Sequence, residues 1–426
     1  MPQIPVEFFV FGAALLGIAL VPGRALLWAL LGLGVLIAYK LTLGGFADGT
    51  GWSGLLSHLG HEWVPLANLF GLLTGFALLA NHFSESRMPV VLPSLLPDDW
   101  KGALLLLVLV FVLSSFLDNI AAAVIGGTMA RSVFKDRVHL GYVAAIVAAS
   151  NAGGSGSVIG DTTTTMMWID GVSALAVFDA YVAAVVALLF CGTLAAFQQQ
   201  RYAPIVKDAP AGVRIDWARV AIVAVILVCA MVTNFVVNSF FGRYSDRFPY
   251  IGAAVWLALL VTIPLRRPDF AELPGAARGS VFLLALVLSA SLMPVERLPV
   301  ASWQSTFVLG FVSAVFDNIP LTALALEQGG YDWGMLAYCV GFGGSMLWFG
   351  SSAGVAISNL FPESRSALRW LRDGWHVAVA YVLGFFVLLF VLGWHPTAKL
   401  RALLPLPPVT GLTQIGGLPA GYKILI

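Results

Sequence analysis

An all-α polytopic membrane protein is predicted by three observations. Of the 426 residues, 59% are hydrophobic and only 11% charged, less than half the charged fraction of an ordinary soluble domain. Apolar runs of bilayer-spanning length recur along the whole chain. Two distant stretches also repeat one another: SSFLDNI at 114–120 and SAVFDNI at 313–319, an offset of 199 residues. The composition excludes a soluble globule and a disordered chain. It also excludes a disulfide scaffold, because Cys191, Cys229 and Cys339 all lie inside apolar runs. With 23 basic and 22 acidic residues the net charge is +1, which offers no basic surface to nucleic acid, so none is expected as a partner.

The run from Phe8 to Val21 follows a start with one acid and no Lys or Arg, so it is expected to be a retained helix rather than a cleaved signal. Hydropathy then places segments near 8–22, 25–43, 64–81, 102–130, 139–169, 174–197, 218–240, 250–265, 279–293, 301–327, 334–360 and 375–394. These group into N-terminal scaffold helices (1–60), a first repeat (61–200), a cytoplasmic connector with linking helices (201–278), a second repeat (279–396) and an irregular tail (397–426). Residues 88–97, with three prolines, read as a short interfacial piece, and His82 and Glu85 as part of a solvated face at a helix end.

Segment 102–130 is not a plain span. It is apolar from Gly102 to Leu117, meets Asp118-Asn119, and reaches the basic cluster Arg131, Lys135 and Arg137 soon afterwards. A span needs about 20 residues, so two shorter limbs around a carboxylate suit a re-entrant hairpin. Segment 301–327 has the same form around Asp317-Asn318. A glycine-broken segment follows each hairpin. Gly153, Gly154, Ser155 and Gly160 align with Gly343, Gly344, Ser345 and Gly350 at an offset of 190. Paired glycines favour unwinding, and irregular backbone at membrane depth is tolerated only where protein or water surrounds it.

With the N-terminus outside and both hairpins re-entrant, 16 Lys and Arg fall inside and 7 outside, a bias that supports this orientation, and an inner (cytoplasmic) membrane is the expected location. The two halves are then inverted copies, the sequence pattern of a secondary transporter with a mid-membrane site. A carboxylate at that depth is costly and therefore a functional candidate, which singles out Asp118, Asp161 and Asp317. Asn119, Asn318, Asn151, Thr162, Thr163, Ser155, Ser345, Ser351 and Ser352, with carbonyls freed at the glycines, supply hard oxygen donors around them. Stretches 114–128, 150–165, 313–326 and 341–354 contain no Lys, Arg or His. That balance favours a small cation such as Na⁺, held by Asp118, Asp161 and Asp317. Asp161 aligns with Ser351, so the carboxylate is unique to the first half. Because desolvation favours a protonated carboxyl and a bound cation favours the ionised one, Asp161 with Asp118 is the expected shared proton and cation site, while Asp317 is expected to shape the opposite wall.

The runs LDNIAAAV (117–124), SNAGGSGSVIGDTTTTMMWI (150–169), FDNIPLTA (316–323) and LAYCVGFGGSMLWFGSSAGVA (336–356) resemble the NhaD-type sodium/proton antiporters of the ion transporter superfamily. That superfamily also holds citrate and dicarboxylate carriers and arsenite permeases. The resemblance implies inverted repeats, a scaffold that often dimerises and elevator-like movement. By position it places Asp118, Asn119, Asp161, Thr162, Asp317, Asn318, Ser345 and Ser351 around the ion. It implies a transporter and not an enzyme, a small ion or solute, the bilayer and a second copy as partners, and no cofactor beyond the transported Na⁺ and H⁺. The dicarboxylate branch carries Ser-Asn-Thr at its hairpin tips, whereas this chain carries Asp118-Asn119-Ile120 and Asp317-Asn318-Ile319. Citrate or dicarboxylate carriage and arsenite efflux are the alternatives. A remoter one, intramembrane serine proteolysis at Gly153-Gly154-Ser155-Gly156, needs a base beside the serine. The six histidines (His58, His61, His82, His139, His376, His395) all fall near segment ends.

Overall fold

A computed structural model describes residues 5–21, 24–46, 49–91, 96–206, 213–240 and 247–397. The tail beyond 397 and residues 207–212 of the connector lie outside them. The described chain is helical: α1 (Val6–Leu20), α2 (Ala25–Thr42), α3 (Gly51–Glu85), α4 (Met88–Val91), α5 (Trp100–Ser114), α6 (Asn119–Val133), α7 (Leu140–Ser155), α8 (Thr162–Ile169), α9 (Ala174–Phe178) and α10 (Ala180–Tyr202). Then follow α11 (Trp217–Phe240), α12 (Tyr250–Thr262), α13 (Leu273–Ser291), α14 (Trp303–Ser313), α15 (Asn318–Gln328), α16 (Trp333–Gly343), α17 (Ser352–Leu360), α18 (Ala367–Asp373) and α19 (Trp375–Leu392). No β-strand occurs among the described residues. Six helical stretches are long and apolar enough to cross a bilayer, and Phe9, Leu257, Val261 and Phe390 point large apolar side chains outward. The protein is a polytopic helical membrane protein.

Helix packing divides the chain into two bodies. α1, α2, α3, α11, α12 and α13 pack on one another, while α5 to α10 and α14 to α19 form the second body around α7, α10, α16 and α19. α13 meets α15 and α3 meets α8 where the bodies touch.

α3 is much longer than the 64–81 that hydropathy suggested. Ser53, His58, Gly60, His61 and Glu62 lower the apolarity of its first turns, yet the helix continues through them and through Pro65. His58 is held inside by Ser291, Nε2 to Oγ 2.9 Å. His82 corrects a second expectation. It is fully buried, with Nδ1 2.9 Å from Arg219 Nη1, and Arg219 also pairs with Glu85 at 2.5 Å. A basic residue brought in by α11 thus removes His82 from solvent.

Residues 102–130 do not form one rod. Asp99 caps α5 by accepting from the Lys101 amide at 2.9 Å, and α5 ends at Ser114, after which the chain turns back into α6. The open end of this pair meets the end of α10: Trp100 stacks on Phe197 at 4.5 Å and the Val206 amide donates to the Val133 carbonyl at 2.8 Å. The α14–α15 pair likewise closes on itself, Gln328 Nε2 donating to the Pro299 carbonyl at 2.6 Å. Its open end lies beside Asp332, which accepts from the His395 amide at 2.9 Å just past the end of α19. The start of α19 lies instead beside Gln198, through His376 at 3.2 Å. The two hairpins therefore open at opposite ends of α19.

Candidate functional site

Four helix starts converge between the hairpins, each capped by the side chain of a short polar residue. Asp118 caps α6 through the Ile120 amide (3.1 Å) and Asp317 caps α15 through the Ile319 amide (3.1 Å). Asp161 caps α8 through the Thr163 amide (2.9 Å), and its counterpart Ser351 caps α17 through the Gly354 amide (3.2 Å). Short polar side chains are the residues that satisfy open amides at a helix start, and the positive end of each half-helix favours negative charge there.

The break between α7 and α8 is held by close backbone approach. A Cβ on Gly153 would collide with the Phe111 carbonyl, and one on Gly160 with the Ser114 carbonyl. In the second half Gly343 stands against Gly310 and Gly350 against the Ala314 carbonyl. Side chains repeat the correspondence. Ser114 Oγ donates to the Ser150 carbonyl at 2.5 Å and Ser313 Oγ to the Val340 carbonyl at 2.6 Å, positions related by the same offsets of 199 and 190. Carbonyls freed by unwinding find hydroxyl or indole donors: Ser157 takes Thr164 (2.6 Å), Gly153 takes Tyr181 (3.2 Å) and Ser345 takes Trp370 Nε1–H (3.1 Å). This meets the requirement that buried backbone groups be paired.

At the centre lies Asp161, 2% exposed. Its Oδ2 accepts from Asn119 Nδ2 at 2.9 Å and, more weakly, from Asn318 Nδ2 at 3.4 Å. Oδ1 accepts from the amide and the hydroxyl of Thr163, at 2.9 and 3.0 Å. Asn119 also donates to Asn151 Oδ1 at 3.0 Å, and Asn151 Nδ2 donates to Ser345 Oγ at 2.9 Å and Ser351 Oγ at 3.0 Å. One network thus joins both hairpin tips to both broken helices.

Asp118 and Asp161 line one cavity and Asp317 another. Among the described residues no group of three His, Cys, Asp or Glu gathers at metal-binding spacing. Asp118 shares with Asp161 and Thr162 a cavity of about 370 Å³ walled by α3 and α13. Asp317, whose Oδ2 accepts from Ser352 Oγ at 3.0 Å, faces a second cavity of about 370 Å³ walled by α1, α2 and α13. Ile120 lines both, standing between them. Capping by adjacent amides holds each hairpin carboxylate on its own side.

Gly153, Gly154, Gly343 and Gly344 act through backbone proximity, the Gly153 and Gly154 carbonyls accepting from Ser115, Tyr181 and the Ser157 amide. Ser155 donates to the Ala152 carbonyl at 2.8 Å, which places it beside the network, and its hydroxyl proton goes to a carbonyl rather than a base. Sequence reasoning missed Ser114, Ser313, Tyr181 and Trp370. The first two were signalled by the serine common to both repeated stretches; the aromatic donors had no local signal.

No protein-family model matches the chain. The chain is 28% identical over 296 aligned residues to sodium/proton antiporter 1 of Arabidopsis thaliana, covering 59% of this chain and 49% of that protein. It is 26% identical over 285 residues to sodium/proton antiporter 2 of the same plant, covering 59% and 67%. The chain spans about half the length of the first of these relatives.

Proposed function

We propose that this chain is a secondary active exchanger of Na⁺ for H⁺, with Asp161 as the group that carries the proton in one state and the cation in the other. The observation that carries the reading is Asp161 itself, a buried carboxylate held only by neutral donors from both hairpins and its own helix. With no Lys, Arg or His in the surrounding stretches, its charge calls for either a proton or a cation. Asn119, Asn151, Thr162 and the hydroxyls nearby offer hard oxygens that suit Na⁺. The names of the two plant relatives support the choice of ion.

In this reading Asp118 guides cations to Asp161 from the first cavity, and Asp317 with Ser352 shapes the opposite wall. The hairpins are re-entrant and the halves are inverted repeats, supported by their opposite openings and by contacts that recur at fixed offsets. Both of these cavities lie along the seam between the two bodies. The α1–α3 and α11–α13 body is the scaffold, and the other body slides against it to expose Asp161 to each side in turn. With the N-terminus outside, both cavities open toward the cytoplasm, the inward-facing state. Pairing of two scaffolds in an inner membrane completes the proposal.

The test is solute flux in proteoliposomes under an imposed pH gradient, comparing Na⁺, citrate and arsenite. Proton movement driven by Na⁺ alone supports the reading. Movement of citrate or arsenite without a response to Na⁺ overturns it.

A further inference from the structure

We propose that α18 is a lipid-contact helix through which anionic phospholipid headgroups tune the site, with Trp370 as the positioning residue between them. α18 turns one face outward, where Leu368 is 79% and Leu371 44% exposed, followed by Trp375 at 47%. Arg365, Arg369 and Arg372 are exposed on the same segment. Guanidinium groups beside aliphatic and indole side chains are the chemistry of a bilayer interface carrying negative headgroups. Glu363 and Asp373 stand nearby, Asp373 pairing with Arg372 at 2.8 Å, and Arg365 donates to Asn359 at 2.8 Å. Three cations against two anions leave the segment positive.

The other face of α18 is fixed to the site. Trp370 is 1% exposed, and its Nε1–H donates to the Ser345 carbonyl at 3.1 Å. The hydroxyl of that same Ser345 accepts from Asn151, which bonds Asn119 and, through it, Asp161. In the first half a similar link comes from the first turn of α10, where Tyr181 donates to the Gly153 carbonyl just after the short helix α9. α9 exposes Leu175 and Phe178 but contains no Lys or Arg. Only the α18 end combines the link with positive charge. A headgroup that seats α18 therefore fixes the Ser345 carbonyl and, through Asn151, the donors around the ion.

Lipid contact stands on its own, whereas its effect on flux rests on the exchange reading, so both are measured. The full chain is placed in nanodiscs of phosphatidylcholine alone or with about one third phosphatidylglycerol, and amide hydrogen exchange is followed over 364–374. Phosphatidylglycerol is expected to slow exchange there by about fivefold or more. The surface triple variant Arg365→Gln, Arg369→Gln, Arg372→Gln is expected to lose that slowing. In vesicles of the same lipids phosphatidylglycerol shifts the apparent Na⁺ affinity of the native chain, and Trp370→Phe loses the shift while keeping the slowed exchange. Exchange indifferent to lipid, or a triple variant that retains the slowing, overturns the lipid contact. A Trp370→Phe chain that keeps the affinity shift overturns the link. Slowed exchange with no Na⁺-driven flux in any lipid would sink the exchange reading and leave the lipid contact standing.

Discussion

The side-chain amide of Asn119 lies 2.9 Å from Asp161 Oδ2, so the tip of one hairpin holds the carboxylate that begins the second half of a broken helix. The same amide reaches Asn151, which spans the site to Ser345 and Ser351 in the other half. Neutral donors hold the charge in place without cancelling it.

Removal of Asn119 should therefore loosen Asp161 and leave its charge. Asn119→Ala is expected to weaken apparent Na⁺ affinity by about 10- to 100-fold, read from the Na⁺ dependence of proton flux. Asn318→Ala should cost less, because its bond to Asp161 is 3.4 Å.

Backbone approach at the breaks predicts a stability effect in both halves. Gly160→Ala and Gly350→Ala would each drive a methyl into a facing carbonyl, and each should destabilise the fold by about 1–3 kcal/mol. Gly12→Ala and Gly34→Ala, where nothing lies within 4 Å, should not. Thermal melting of the purified variants measures the difference.

At the loop before α11, Arg266 Nε lies 2.7 Å from Asp216 Oδ2 and holds that carboxyl below its usual range. A lowered folded value means the pair contributes stability above the unfolded value of about 4 and loses it as pH falls through the lower folded value. The pair is exposed, so the effect is small. Melting temperatures of the native chain and Asp216→Asn should differ near neutral pH and converge in strong acid.

Much of this arrangement was legible in the sequence because it is local. Asp118-Asn119 and Asp317-Asn318 mark hairpin tips, and paired glycines mark breaks, since turn chemistry and a buried charge are written at single positions. Contacts between distant elements were not. Nothing near Trp370 tells that its indole meets Ser345, and Arg219, which draws His82 out of solvent, lies 137 residues away from it. The separation of Asp118 and Asp317 into two cavities depends on where α1, α2, α3 and α13 pack, which hydropathy does not specify. The first turns of α3 were missed for a related reason: their polar side chains are housed by other helices, as His58 is by Ser291.

The most direct measurement is the count of protons released when Na⁺ binds the purified chain, by calorimetry in buffers of different ionisation enthalpy. Native protein should release protons on binding, and Asp161→Asn should neither bind Na⁺ nor release them. Undiminished Na⁺ binding with the same proton release in Asp161→Asn would contradict the role given to this carboxylate.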